Sequence, residues 1–382
     1  MHLHELLGGV IVLEHSGTSR VEITSIAHDS RDVVPGSCFC CIPGATVDGH
    51  RYAAEAVERG AVALIVEHLL DLPVTQARVA SVREALGRLA DNFYRHPSES
   101  IRVLGVTGTN GKTTTTYLVE NIARSAGERV GVIGTIGARI DGVDVPGERT
   151  TPEATELQAL LARMRDAGVG TVAMEVSSHA LHQHRTDATR FAAACFTNLS
   201  HDHLDYHGSL DEYFEAKAKL FRRDVAASAA VNVDDERGVV LASRCRADGI
   251  PLRTFGLTAT ADVRAESVEI EADGTLLTVV DAPTGDRSSV RTHLVGPFNV
   301  SNALAAAATA LQGGLGFEAV IDGLGADVVV PGRMQRIDAG QPFTVLVDYA
   351  HTPDALAAVL AAAATSRAPG ARVAVVFGCG GD

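Results

Sequence analysis

The chain has 382 residues, a formal net charge of −14, 46% hydrophobic and 21% charged residues, and no Trp. That length accommodates two or three domains with real cores. The acidic excess, 33 Lys and Arg against 47 Asp and Glu, gives no net attraction to nucleic acid or to an anionic lipid surface. No run approaches the roughly 18 apolar residues needed to span a bilayer, and Met1-His2-Leu3-His4-Glu5 carries no basic leader. A cytoplasmic protein without nucleic-acid or membrane partners, and a monomer, is expected. The six Cys, at 38, 40, 41, 195, 245 and 379, form no C-x-x-C pair and read as reduced, mostly buried thiols. Only three of the basic residues are Lys: Lys112, Lys217 and Lys219. A chain with that bias should keep Lys where a guanidinium fails, because a compact ammonium or an amine able to lose its proton is required.

Residues 1–98 read as a small α/β unit, with short buried strands at 38–42 and 61–66 and an amphipathic helix at 83–94. His96-Pro97-Ser98-Glu99-Ser100 reads as a linker. A second unit, 99–331, opens with a strand at 101–106, passes through a Gly/Thr loop and continues as a helix over 117–126. Strand-like runs follow at 130–136, 170–176 and 192–197, with a helix at 155–167 among them. That alternation predicts an α/β fold with a doubly wound parallel sheet. The pattern turns to β alternation over 263–280, and 299–311 is an Ala-rich helix behind the Gly296-Pro297 break. Past Pro331-Gly332 a third unit, 332–382, reads as strand 343–347, helix 353–365 and strand 373–377, then stops at Gly380-Gly381-Asp382. Two parallel strands and one helix enclose no core of their own, so this unit must dock on its neighbour or be incomplete.

The sharpest local signal is Gly108-Thr109-Asn110-Gly111-Lys112-Thr113-Thr114, placed after a strand and before a helix. There, backbone N–H groups and a helix N-terminus can hold triphosphate oxygens, Lys112 can neutralise the β/γ-phosphates and the Thr113 hydroxyl can bind Mg²⁺. Val106 stands where the common P-loop has its first Gly, and an ordinary Gly-rich turn is the bland alternative. Downstream, Met174-Glu175-Val176-Ser177-Ser178-His179 follows one strand, and Asn198-Leu199-Ser200-His201-Asp202-His203-Leu204-Asp205-Tyr206-His207 follows the next. Loops after parallel strands share one sheet edge, so Glu175 and His203 are candidates to meet the P-loop at a metal. Taken alone, Glu175 reads equally as a helix N-terminal charge and the His cluster as a solvated loop. An oxygen-rich Mg²⁺ site suits phosphate chemistry better than zinc, since the cysteines lie elsewhere. In Tyr213-Phe214-Glu215-Ala216-Lys217-Ala218-Lys219, an exposed basic helix face explains Lys219, whereas an Arg-biased surface would have supplied Arg at 217.

Together these residues resemble the ATP-dependent Mur ligases of peptidoglycan synthesis, most closely the MurE type, which adds the third amino acid to the muramoyl dipeptide. The resemblance runs essentially from residue 1 to residue 382 and rests on several ordered motifs. It implies a three-domain architecture with a central P-loop sheet and a Rossmann-like third domain. It also implies that Gly108 to Thr114 bind ATP and that Lys217 is carbamylated by CO₂ to N6-carboxylysine. Thr113, Glu175, His203 and Lys217 then match Mg²⁺ ligands, with Lys112, Lys217, Glu175 and His203 as the catalytic set. The first unit resembles a UDP-binding domain in which Asp29-Ser30-Arg31 matches a D-S-R turn and Ser30 contacts UDP. Thr150, Thr151, Ser177, Gln183 and Arg185 match positions that bind the muramoyl dipeptide. A helix start explains Thr151-Pro152 as simply, and a surface charge explains Arg185. Asn302 matches an adenine-side residue, while Arg333 and Asp348 match third-domain residues that close over the nucleotide.

The implied reaction is two-step acyl activation. ATP phosphorylates the γ-carboxylate of D-Glu in UDP-N-acetylmuramoyl-L-alanyl-D-glutamate, and the amine of meso-diaminopimelate displaces phosphate. Members of this family continue past G-C-G-G-D into a motif that selects the third amino acid, and the Arg/Ala-rich composition is the ground for diaminopimelate over L-lysine. A chain ending at Asp382 is expected to keep its ATP and UDP-substrate half-sites but to ligate poorly. The alternatives are a folylpolyglutamate synthase-like ligase, which would not need the first unit, and a non-catalytic binder.

Overall fold

The computed structural model describes residues 1–378 apart from 45, 46, 148, 272, 368 and 369. Cys379 and the Gly380-Gly381-Asp382 end lie outside the described residues. The chain divides into two compact units: Met1–Ile101 with Thr151–Gly168 and His179–Arg190, and Arg102–Thr150 with Val169–Ser178 and Phe191–Asp382.

In the first unit five strands lie in the order Glu14–Ser16, Thr75–Arg78, Ala63–Val66, Ser37–Cys40, Ser25–Ala27, parallel except for the first. The two-residue period of a strand divides its side chains between two cores. Cys38, Cys40, Ala63 and Ile65 face the Val82–Phe93 helix and its Leu86 and Leu89, whereas Phe39, Cys41, Leu64 and Val66 pack with Ala53 and Ala56 on the other side. Ser81 caps that helix by accepting from the Glu84 N–H. The Ala154–Asp166 helix packs against it. The five thiols among the described residues are buried, as expected, and burial pushes that of Cys41 up to about 12, which leaves it inert.

The second unit is built on an eleven-stranded sheet. From one edge the order is Asp286–Thr292, Thr275–Asp281, Val263–Ile270, Leu252–Gly256, Ala229–Asn232, Ala193–Phe196, Arg102–Thr107, Thr171–Glu175, Val130–Gly134, Gly137–Ile140, Val143–Val145. The seven strands from Val263–Ile270 to Val130–Gly134 are parallel, and antiparallel pairs extend both edges. The expected doubly wound sheet is therefore present, with Arg102–Thr107 near its middle. Leu104, Val106, Ala173, Cys195 and Ala230 form one core with Leu118, Val119 and Ile122 of the Lys112–Ser125 helix. Each such Leu, Ile or Val contributes about 1.5–3 kcal/mol when fully buried. The Pro297–Gln312 helix begins with Pro at its first turn, and its Ala303 to Ala308 run is buried in the same core.

The third stretch departs from expectation. Val345–Val347 pairs antiparallel with Gln335–Ile337, and the Pro353–Ser366 helix forms behind the Thr352 cap, but residues 373–377 are not a strand. The apolar run Val373, Val375, Val376 and Phe377 is exposed. Its pattern suits a buried parallel strand, but among the described residues no ladder partner lies beside it, and a strand exists only as part of a ladder.

Candidate active site

Arg102–Thr107 and its neighbour Ala193–Phe196 feed connections that leave in opposite directions along the sheet, which makes their carboxyl ends the topological switch point. The loop after each strand meets the other there. Thr109 N–H donates to the Asn198 carbonyl, Asn110 N–H to Asn198 Oδ1, and the Thr197 hydroxyl to the Asn110 carbonyl at 2.6 Å. Gly108 and Gly111 have φ of +149° and +86°, and a Cβ on either would sit 1.9 Å from Thr197 Oγ1 or 2.3 Å from Asn302 Oδ1. Only glycine fits these two positions. The Lys112–Ser125 helix starts at Gly111 with no side-chain cap, so its first-turn amides, including those of Thr113 and Thr114, form an anion cradle.

Both retained lysines of the motifs meet at this loop. Lys112 Nζ donates to the Gly108 and Thr109 carbonyls, each at 2.9 Å, and Lys217 Nζ donates to the same Gly108 carbonyl at 2.9 Å. Lys217 is buried, with its amine 4.3 Å from the centre of the Tyr213 ring. Burial, and then the neighbouring Lys112 charge, push the Lys217 amine well below the usual lysine range. Burial lowers Lys112 as well, against the opposing pull of Glu175. Lys219 is exposed, as its sequence context suggested.

Glu175 ends its strand buried, within electrostatic reach of Lys112. Thr135, just past Val130–Gly134, holds both of its carboxylate oxygens: the Thr135 N–H donates to Oε1 at 2.9 Å and the hydroxyl to Oε2 at 3.0 Å. The Thr135 hydroxyl also lies 3.1 Å from that of Thr150. His203 has a left-handed backbone at the start of the Leu204–His207 turn, and its ring lies 3.6 Å from Asp202 and edge-on to Tyr213. The turn is anchored by buried His207, whose Nε2 lies 2.9 Å from the hydroxyl of Ser178, next to Ser177.

At the start of the P-loop helix, Asn302 is buried against Gly111 and donates to Asn299 Oδ1. Arg333 reaches the Thr113 hydroxyl at 3.4 Å and stacks 4.9 Å from the centre of Tyr349. Asp348 accepts the N–H groups of Met334 and Ala350, so it shapes this turn. In the first unit, Asp29 caps the Ser30–Asp32 turn and pairs with Arg31, whose hydrogen bond holds the carboxyl at about 2. Arg185 donates to the Thr151 carbonyl and to Gln183 Oε1 and pairs with Glu153. Thr151, Gln183 and Arg185 therefore form one cluster, and Ser30 lies in its own turn of the same unit.

Sequence reasoning missed Thr135, Asn198, Asp202 and Tyr213 as parts of the site. Asn198, Asp202 and Tyr213 stood inside motifs already quoted, with Tyr213 four residues before Lys217 on one helix, but Thr135 carries no local mark, because its role depends on strand ends distant in sequence.

A P-loop at the switch point of a doubly wound sheet, facing a buried carboxylate and a buried amine, defines a P-loop α/β enzyme. The Mur ligase family, catalytic domain, matches residues 22–94; the Mur ligase middle domain matches 106–310; and the Mur ligase, glutamate ligase domain, matches 332–382. A protein of Geobacillus thermodenitrificans named UDP-N-acetylmuramoyl-L-alanyl-D-glutamate--2,6-diaminopimelate ligase is 44% identical over 94% of this chain and 74% of its own. One of the same name from Streptomyces coelicolor is 42% identical over 94% and 71%. A solved structure of a ligase so named superposes with a TM-score of 0.80 at 30% identity, covering 95% of this chain and 74% of the other. MurF from Acinetobacter baumannii, at 24% identity and a TM-score of 0.72 over 94% of this chain and 76% of its own, shares the fold, as does a folylpolyglutamate synthase of Mycobacterium tuberculosis, at 20% and 0.62 over 74% and 70%. The chain belongs to the Mur ligase family, and it spans about three quarters of the length of the curated relatives it matches. No helix among the described residues is long and apolar enough to cross a membrane.

Proposed function

We propose that this chain is an ATP-dependent amide ligase that joins meso-diaminopimelate to the D-Glu γ-carboxylate of UDP-N-acetylmuramoyl-L-alanyl-D-glutamate in peptidoglycan precursor synthesis. The observation that carries the reading is the meeting of Lys112 and Lys217 on the Gly108 carbonyl beside buried Glu175. An ordinary P-loop kinase has no use for a second buried amine there.

That amine suits CO₂ capture. Only a neutral amine reacts, and burial together with Lys112 favours the neutral form. The Nζ–C bond forms as one C–O π bond of CO₂ breaks, one Nζ proton leaves to solvent, and the neutral amine becomes an anion beside the Lys112 cation. The resulting carbamate with Glu175, His203 and the Thr113 hydroxyl is a donor set rich in hard oxygens, which fits Mg²⁺. When bound, Mg²⁺ supplies positive charge to the transferring phosphoryl group.

The chain's own residues supply the rest. The first-turn amides and Lys112, swung from its carbonyls, bind the triphosphate and stabilise the charge on the γ-phosphoryl group as it passes to the carboxylate oxygen. Asn302 lies at the adenine side, and Arg333 and Asp348 close from the third stretch. Ser30 takes the UDP, and Thr150, Thr151, Ser177, Gln183 and Arg185 orient the muramoyl dipeptide. The amine of the incoming amino acid then attacks the acyl carbon and phosphate leaves, with water excluded so that the acyl phosphate is not hydrolysed.

The test is phosphate release from ATP in the presence of the UDP-muramoyl dipeptide, with meso-diaminopimelate or L-lysine added separately. Release dependent on diaminopimelate supports the reading. Release dependent on L-lysine overturns the amino-acid assignment, and release that ignores both overturns the ligase. The UDP-muramoyl dipeptide separates this reading from a folylpolyglutamate synthase-like one, which would turn over a pteroylglutamate instead.

A further inference from the structure

We infer that Thr135 is a positioning residue that ties Glu175 to the dipeptide site and fixes Thr150 as a hydrogen-bond acceptor toward the substrate, a reading that rests on the ligase function proposed above. Thr135 is the first residue after its strand, and Gly134 before it leaves the room the carboxylate uses, since a Cβ there would lie 2.3 Å from Glu175 Oε1. The Thr135 N–H and hydroxyl then grip the two oxygens of Glu175 as a fork, at 2.9 and 3.0 Å.

Proton counting gives the direction of the next bond. A hydroxyl has one proton to donate and two lone pairs to accept with. Thr135 spends its single proton on Glu175 Oε2, so across the 3.1 Å contact Thr150 must be the donor. With its proton committed, Thr150 meets the substrate with lone pairs only. That suits an amide N–H and repels a carboxylate. Glu175 sits by Lys112, where the γ-carboxylate must react, so the nearest N–H of the dipeptide is that of its D-Glu residue. Thr135 thus links the group held at the reacting end to the group that reads the peptide bond.

The experiment compares wild type, Thr135→Val and Thr135→Ser by calorimetric binding of UDP-N-acetylmuramoyl-L-alanyl-D-glutamate and by steady-state kinetics, with ADP binding as a control. Thr135→Val keeps the backbone N–H and the branched shape but loses the hydroxyl. It should weaken dipeptide binding on the order of 10-fold, the scale of one hydrogen bond to a charged group, and lower kcat as well, with ADP binding unchanged. Thr135→Ser should restore both. An analogue with an ester in place of the L-Ala–D-Glu amide should bind wild type about 10-fold more weakly and should bind Thr150→Val no worse than the amide does. If wild type binds the dipeptide and Thr135→Val binds it equally, or if Val and Ser are equally impaired, the positioning role is wrong. If the ester binds wild type as well as the amide, the acceptor assignment is wrong. Failure of wild type to bind the dipeptide at all would sink the ligase reading, and the Thr135 link with it.

Discussion

In the first unit, buried Asp91 is held by Arg88 at 3.2 Å and His96 at 2.7 Å, and buried His50 donates from Nδ1 to Asp48 and accepts the Glu67 N–H on Nε2. In the second, the buried Lys217 amine has the Gly108 carbonyl as its hydrogen-bond partner and a second cation, Lys112, alongside. Both units lay parallel strands edge to edge, but in the first Asp91 and His50 are paired with partners that satisfy them, whereas the second keeps a buried amine beside a cation at its switch point. A paired group of the first kind serves the fold. A buried lysine with no hydrogen-bonded carboxylate among the described residues is costly, and the proposed chemistry, which needs a neutral amine, accounts for that cost.

The sharpest way to break this contrast is at Lys217. Lys217→Ala should lower kcat/KM by on the order of 10³-fold or more, the scale of losing a principal electrostatic group, and added short carboxylic acids should restore part of it. Because the chain has only three lysines, ¹³CO₂ labelling followed by NMR should show one carbamate signal that vanishes in this variant. Stability should move the other way. The folded-state pKa of Lys217 lies below its unfolded value, so between the two the unfolded chain binds more protons and stability rises with pH. Lys217→Met in CO₂-free buffer should therefore melt higher than wild type and lose that slope. A fully active Lys217→Ala protein, or a lower melting temperature for Lys217→Met, would remove the contrast.

Less severe effects are expected one step from the reacting groups. His207 fastens the turn that begins at His203 to Ser178, three residues beyond Glu175. His207→Ala should cost on the order of 10–100-fold in kcat, as loss of an outer-shell orienting group does, and should raise the Mg²⁺ concentration needed for half-maximal rate. Unchanged Mg²⁺ dependence would make His207 a packing residue only. In the first unit the same kind of deletion should act on the fold instead. Asp91→Ala should lower unfolding free energy by roughly 1–3 kcal/mol in denaturant titration while kcat stays at the wild-type value.

Much of this was legible in the sequence because strands and helices announce themselves by period and P-loops by their glycines. The parallel strands at 102–107, 130–134, 171–175 and 193–196 fall within a residue or two of expectation. The Gly137–Ile140 and Val143–Val145 hairpin was missed although its signal was present: Asp141-Gly142, with φ of +50° and +84°, is a two-residue turn of the kind that joins antiparallel strands. The opposite error, a strand over 373–377, came from an apolar run whose pairing partner the local pattern does not supply. At the site, motifs gave Lys112, Glu175, His203 and Lys217, but not that two amines share one carbonyl, nor that Thr135 grips Glu175. Those depend on which strand ends become neighbours in the sheet, a property of topology that local spacing does not encode.

The smallest effect concerns the turn that the proposed function gives to UDP. Asp29 accepts the Arg31 N–H and pairs with the Arg31 guanidinium, which holds its carboxyl at about 2 against 3.8 in a free side chain. A lowered carboxylate pKa contributes its stabilisation above the unfolded value and loses it as pH falls through the folded one. The turn around Ser30 should therefore keep its cap throughout the working range of the enzyme, and KM for the UDP substrate should show no inflection from this group between about pH 5 and 8, well above both values. Asp29→Asn keeps an oxygen that can cap the turn and should raise that KM by no more than a few-fold, whereas Asp29→Ala, which removes the cap, should raise it roughly 3–10-fold with kcat unchanged. Equal KM values for the two variants would mean that the charge pair with Arg31, and not the cap, shapes the turn, and the first unit would then depend on an exposed ion pair in a way its other buried groups do not.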